Sequence, residues 1–156
     1  MLGLVGLVGV LMTASPVLEP GAVITLPPHI GVMVSADEPV RVALFLPWVW
    51  RIPPDDTSLI RPNQLILEAG GLFGASSAFA ARFAFRWLRA PLEWLAIGGG
   101  LGIGVEVGTL TRPTTSFELV ARIGPGPTGY GLFTARSEIR LDGTVAWLCA
   151  VGATYW

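Results

Sequence analysis

Between residues 79 and 87 the chain alternates one residue at a time. Phe79, Ala81, Phe83, Phe85 and Trp87 hold the odd positions, and Ala80, Arg82, Ala84 and Arg86 the even ones. Residues 114 to 124 do the same, with Thr115, Phe117, Leu119, Ala121 and Ile123 set against Thr114, Ser116, Glu118, Val120 and Arg122. Residues 129 to 141 follow, with Gly129, Gly131, Phe133, Ala135, Ser137, Ile139 and Leu141 on one side and Tyr130, Leu132, Thr134, Arg136, Glu138 and Arg140 on the other. A period of two is the signature of a β-strand, whose successive side chains point to opposite faces. The glycine-rich "LEWLAIGGGLGIGVEVG", residues 92 to 108, obeys the same rule. Its odd positions are Leu95, Ile97, Gly99, Leu101, Ile103, Val105 and Val107. Its even positions are mostly glycine and end in Glu106.

This pattern predicts eight strands, at about 22–35, 38–50, 63–75, 77–88, 93–108, 114–125, 128–142 and 144–156. Turn-forming stretches such as "ADEP", "GASS", "RAP", "GTLTRPTT" and "GPGPT" separate them. Asp142-Gly143 between two alternating runs is the strongest hairpin signal. The first strand is the weakest, because Pro27 and Pro28 each lack a ladder donor. Its regular part is expected to begin at His29 or Ile30.

Composition decides what the strands enclose. Of 156 residues 52% are hydrophobic and only 13% charged, about half the usual charged share of roughly 25%. Mean hydropathy is +0.63, a membrane-like value. Yet no stretch after the N-terminus supplies the roughly 18–20 uninterrupted apolar residues that a spanning helix needs. In a bilayer every backbone group must be paired internally, so a closed barrel is the remaining solution. The bulky residues occupy one face of nearly every strand and would overfill a small interior. Facing lipid, they are unconstrained. The other face then forms a narrow interior containing Arg41, Glu68, Arg82, Arg86, Glu106, Glu118, Arg122, Arg136, Glu138 and Arg140. All ten basic residues of the chain are arginines, and the planar guanidinium can satisfy several acceptors at once. Eight-stranded barrels are filled by side chains rather than open, so this set reads as a structural polar network, with an ion-conducting path as the sharper alternative. The fold expected is all-β, a closed antiparallel up-and-down barrel of about eight strands, a single domain over 22–156. Two other readings compete. A soluble lipocalin-like barrel would line an apolar cavity with its greasy faces. A small helical inner-membrane protein would use "GGGLGIG" as a packing face.

With these runs, a signal-like start and an aromatic last residue, the chain resembles the small eight-stranded outer-membrane β-barrel proteins of Gram-negative bacteria. The apolar run Leu2–Met12, followed by Thr13, Ala14 and Ser15, reads as a secretory signal over residues 1–15. The resemblance implies an outer-membrane location, membrane lipid as the principal partner, and recognition of the chain end at Trp156 by outer-membrane assembly machinery. Near that end the greasier alternate set is Val145, Trp147, Cys149, Val151, Ala153 and Tyr155, one position out of step with Trp156.

Other chemistry is sparse. Some barrels of this size modify lipids, but His29 is followed by Ile30 and Gly31 rather than by a His-x-Ser motif, and Ser35 and Asp37 lie too far along the strand to act with it. His29 reads as a member of the polar network, and no catalytic role is expected. The lone Cys149 excludes an intrachain disulfide and a cysteine-based zinc cluster. Asp55–Asp56 reads as a solvated turn. The glycine run lacks the G-x-G-x-x-G spacing of a dinucleotide site, so no cofactor or metal is expected. A net charge of −1 gives no support for nucleic-acid binding.

Overall fold

The computed structural model describes residues 23–25, 28–52, 64–92, 94–124 and 130–154. The signal-like residues 1–15, Asp55–Asp56, Glu93 and Trp156 lie outside them. Among the described residues nine strands follow one another: β1 Val23–Thr25, β2 His29–Ser35, β3 Arg41–Arg51, β4 Gln64–Phe73, β5 Ala78–Leu92, β6 Leu95–Val107, β7 Thr111–Ile123, β8 Tyr130–Arg140 and β9 Val145–Thr154. All pairings are antiparallel, and β2 to β9 close into a ring through β2–β9 and β3–β4. The chain is thus an all-β, closed, eight-stranded up-and-down barrel. The glycine run lies in β6, and no described helix is long and apolar enough to cross a membrane. That overturns the helical alternative.

The register sets the barrel's shape. A circuit from Arg51 passes through Gln64, Arg86, Gly100, Glu118, Arg136, Leu148 and Met33 and returns to β3 at Arg41, ten residues from its start. Such a stagger tilts the strands by about 35–45° from the axis, at which 9–11 residues cross a bilayer.

β1 continues the line of β2 along β3, but its register differs by one residue: Thr25 faces Trp48 whereas His29 faces Phe45. The regular strand does begin at His29. Pro47 of β3 sits opposite this break, where a residue without an N–H costs the ladder least. Several boundaries differ from those expected, among them β3, which starts at Arg41 rather than 38. β5 runs through Ala90-Pro91 to Leu92, with a register irregularity after Arg89. β7 starts early, at Thr111, and takes in Pro113. The Pro113 carbonyl accepts from Leu141 N–H at 3.3 Å, so its nitrogen faces the same side, beyond the last β7–β8 pair, Thr114↔Arg140. The β8–β9 connection is wider than a two-residue turn. Gly143 N–H donates to Arg140 O, Arg140 N–H donates to Thr144 O, and Gly143 alone supplies the positive φ, 85°. This is a type I turn closed by a glycine bulge.

Burial alternates with the pleat. In β2, His29, Gly31 and Met33 are buried while Ile30, Val32 and Val34 are exposed. The exposed face elsewhere carries Leu44, Phe83, Phe85, Leu101, Ile103, Phe117, Leu119 and Trp147. This arrangement is opposite to a lipocalin-like barrel, which would keep those side chains inside, so that alternative is overturned too.

Candidate functional site

The interior is the first candidate. All ten arginines and glutamates expected there are buried, at 0–7% exposure, because each occupies an even-numbered or odd-numbered position that its strand's pleat turns inward. Nine of them form two ionic groups. At the end of the barrel opposite the chain termini, Arg41 donates to both Glu106 oxygens at 2.6 and 3.3 Å and lies 2.9 Å from Glu38. Arg140 reaches Glu38 at 2.9 Å, Glu106 at 3.2 Å and Asp37 at 3.4 Å. Arg112 also binds Glu38. Deeper, Glu118 takes Arg82 at 2.9 Å and Arg86 at 2.8 Å. Glu68 takes Arg82 at 3.2 Å and Arg136, and His29 Nδ1 lies 3.4 Å away. Arg82 Nε donates to Ser116 at 2.7 Å. Arg136 stacks over Phe45, 5.2 Å from the ring centre. Its Nε is 3.0 Å from Glu138, close enough to pair as ions but not aligned as a hydrogen bond. Arg122 is buried near the other end of β7, beside the apolar trio Leu88, Val120 and Leu132.

β6 makes room for these side chains. A Cβ on Gly100 would come within 2.4 Å of a Glu118 carboxylate oxygen, and one on Gly102 within 2.7 Å of Arg82 Nε. At Gly98 it would meet the Trp87 carbonyl at 1.8 Å, a backbone approach that only glycine allows.

Between the two ionic groups lies an apolar cluster that includes Met33, Ala43, Leu72, Ala80, Ala146 and Leu148. Ala43 stands two residues from Arg41 on β3, and Ala80 two residues from Arg82 on β5. On the β2–β5 and β9 side of the lumen, apolar side chains thus fill the space between the two groups. Such an interior opposes conduction and suits a packed plug. His29 Nε2, Gln64 Oε1, Arg82 Nη2, Arg86 Nη1 and Arg136 Nη2 make no hydrogen bond to protein, so hydrogen-bonding capacity remains in the deeper layer. Among the described residues no group of His, Cys, Asp and Glu has a metal-binding arrangement.

The outer wall is the second candidate. Among the described strand residues, Arg89 is the exposed charge on it. Half-buried Trp48, Trp50 and Trp87 and exposed Trp94 gather toward the terminal end, and Phe73, Phe79 and Trp147 stand toward the other. Aromatic girdles flanking an apolar band are the mark of membrane barrels. Cys149 faces outward on this wall.

The barrel has a counterpart among solved structures. It resembles Ail, the attachment invasion locus protein of Yersinia pestis, an eight-stranded outer-membrane barrel. The TM-score is 0.51 at 12% identity, over 88% of this chain and 99% of that one. No protein-family model matches the chain, and no curated protein matches its sequence. At that identity the likeness speaks for the fold.

Sequence reasoning missed several members of the site. Asp37 and Glu38 fall in the β2–β3 turn, where strand periodicity gives no direction, and Arg112 lies in the first residues of β7, before the expected strand start at 114. The available signal for Glu38 was its three-residue spacing from Arg41. The aromatic girdles were equally readable, from the tryptophans at strand ends.

Proposed function

We propose that the chain is an outer-membrane β-barrel protein of a Gram-negative bacterium, with a structural or close-range interaction role and no enzymatic one. The observation that carries this reading is the inversion of a soluble protein's polarity. Large apolar side chains cover the outside, Leu119 at 72% and Ile103 at 64% exposure, while six arginines and four glutamates are buried. In water such a wall would aggregate. In a bilayer it is the side that lipid solvates, and the ionic groups are satisfied within. Membrane lipid is the partner this surface fits, and outer-membrane assembly machinery acting on the last strand is the expected route of insertion. His29, the one histidine, is buried beside Glu68, in keeping with a member of the interior polar network.

The Yersinia protein is named for attachment and invasion. Here the four turns opposite the termini have five, four, three and four residues (36–40, 74–77, 108–110 and 141–144). Turns so short offer no long loops for gripping another cell, so we do not extend attachment to this chain.

The test is extraction and electrophoresis. The protein should need detergent, give a β-rich circular dichroism spectrum, and migrate differently on SDS gels before and after boiling. Solubility without detergent would overturn the proposal.

A further inference from the structure

We infer that the end of the barrel bearing the four short turns is itself a membrane-binding surface, seated in the headgroup–acyl boundary of a lipid leaflet rather than projecting into water. The inference rests on the proposed membrane location and goes beyond it by assigning the turns' partner. Turn tips are normally polar, because glycine, asparagine, aspartate and serine supply the geometry and meet water. Three of these four tips instead carry an exposed aliphatic residue: Val40 at 60%, Leu110 at 65% and Leu141 at 81% exposure.

These residues extend the apolar wall into the turns. Leu110 follows exposed Val107 at the end of β6, and Leu141 stands between exposed Ile139 and Val145. Most charges of the same end are drawn inward, and the two that stay exposed, Asp37 and Asp142, are each tied to a neighbour. Glu38 is drawn inward by Arg41, Arg112 and Arg140, and Asp37 pairs with Arg140. The remaining acid of the tips, Asp142, is folded onto Thr144, whose N–H and hydroxyl donate to it at 2.9 and 2.7 Å. The arginines, Glu38 and Glu106 are thus gathered over the lumen, Asp142 stays at the rim, and aliphatic groups stand around them. The aliphatic ring fits the acyl side of a lipid interface, and the ionic centre fits its headgroup side. Continuity with the lipid-facing wall favours lipid over a second protein as the occupant.

The experiment uses the full chain with Cys149→Ala, carrying one NBD-labelled cysteine at Leu141→Cys, Leu110→Cys or, as the mid-wall reference, Leu119→Cys, refolded into phosphatidylcholine vesicles. The expected result is blue-shifted emission at all three sites. Quenching should come from doxyl groups placed shallow in the acyl chain for 141 and 110, and deep for 119, with loss of iodide quenching throughout. Iodide quenching at 141 and 110 with protection at 119 overturns this inference and leaves the membrane reading standing. Iodide quenching at 119 overturns the membrane reading itself.

Discussion

At the scale of the residue, Gly100 and Gly102 tie the sequence pattern to the packing. In the sequence they are only the small members of an alternating run; in the barrel each lies where a Cβ would strike a side chain of the ionic network. The direction of their faces was legible because it needs nothing but parity. Their exact neighbours were not, because cross-strand register depends on turn geometry that local residues do not determine. Gly100→Ala is expected to displace the Glu118 carboxylate from Arg82 and Arg86 and to destabilise by about 1–3 kcal/mol, the usual cost of overpacking. Leu101→Ile, on the outward face next door, should leave the unfolding midpoint in urea unchanged. Equal midpoints for both variants would refute the crowded lumen. Glu118 itself gives a sharper prediction. Glu118→Gln leaves Arg82 and Arg86 buried without their shared counter-charge, and losing one partner of a buried ion pair costs about 3–5 kcal/mol. A urea titration showing less than about 1 kcal/mol would mean that the pair is hydrated rather than buried.

At the scale of the element, the strands and the positions of the turns were readable, and the strand ends and turn geometry were not. β4 and β6 start and end within two residues of their expected limits, because alternation continues along the whole strand. β7 begins three residues before the expected start because the turn-like stretch "GTLTRPTT" continues the strand from Thr111, and Pro113 stands at the rim beyond the last β7–β8 pair, where its missing N–H interrupts no interior part of the ladder. The turn residues Asp37 and Glu38 belong to the ionic cap for a reason no period reveals: they lie outside the pleat. Glu38 carries a testable consequence. Partial burial pushes its carboxyl up, but hydrogen bonds from Arg112 and Arg140 outweigh this and hold it below the ordinary value of 4.5. A carboxylate depressed in the folded state stabilises the fold above its unfolded pKa, and that contribution disappears as pH falls through the lowered folded value. Glu38→Gln should therefore lower the melting temperature in detergent at pH 6 and make no difference at pH 2. A melting difference that persisted at pH 2 would show that the glutamate acts through packing alone.

At the scale of the whole molecule, the same parity that defines each strand gives the barrel two solvents, an ionic one inside and a hydrocarbon one outside. The decisive inference is about which face meets water, and a single outward substitution can measure it. Leu119 is 72% exposed near the middle of β7. On a soluble protein, arginine in place of an exposed leucine would be almost neutral, within about 0.5 kcal/mol. At the bilayer midplane it should cost about 2–4 kcal/mol, falling to about 0–1 kcal/mol near the interface. Leu119→Arg is therefore expected to destabilise the barrel in lipid vesicles by the larger amount. Val107→Arg, on the same wall at the end of β6, should cost little. The comparison is made by reversible urea unfolding in one vesicle composition, where both variants share the same unfolded reference. A depth-dependent penalty means that hydrocarbon covers the wall, because water imposes no such gradient. Equal, negligible penalties at both positions would mean that the apolar surface is covered by something other than a bilayer.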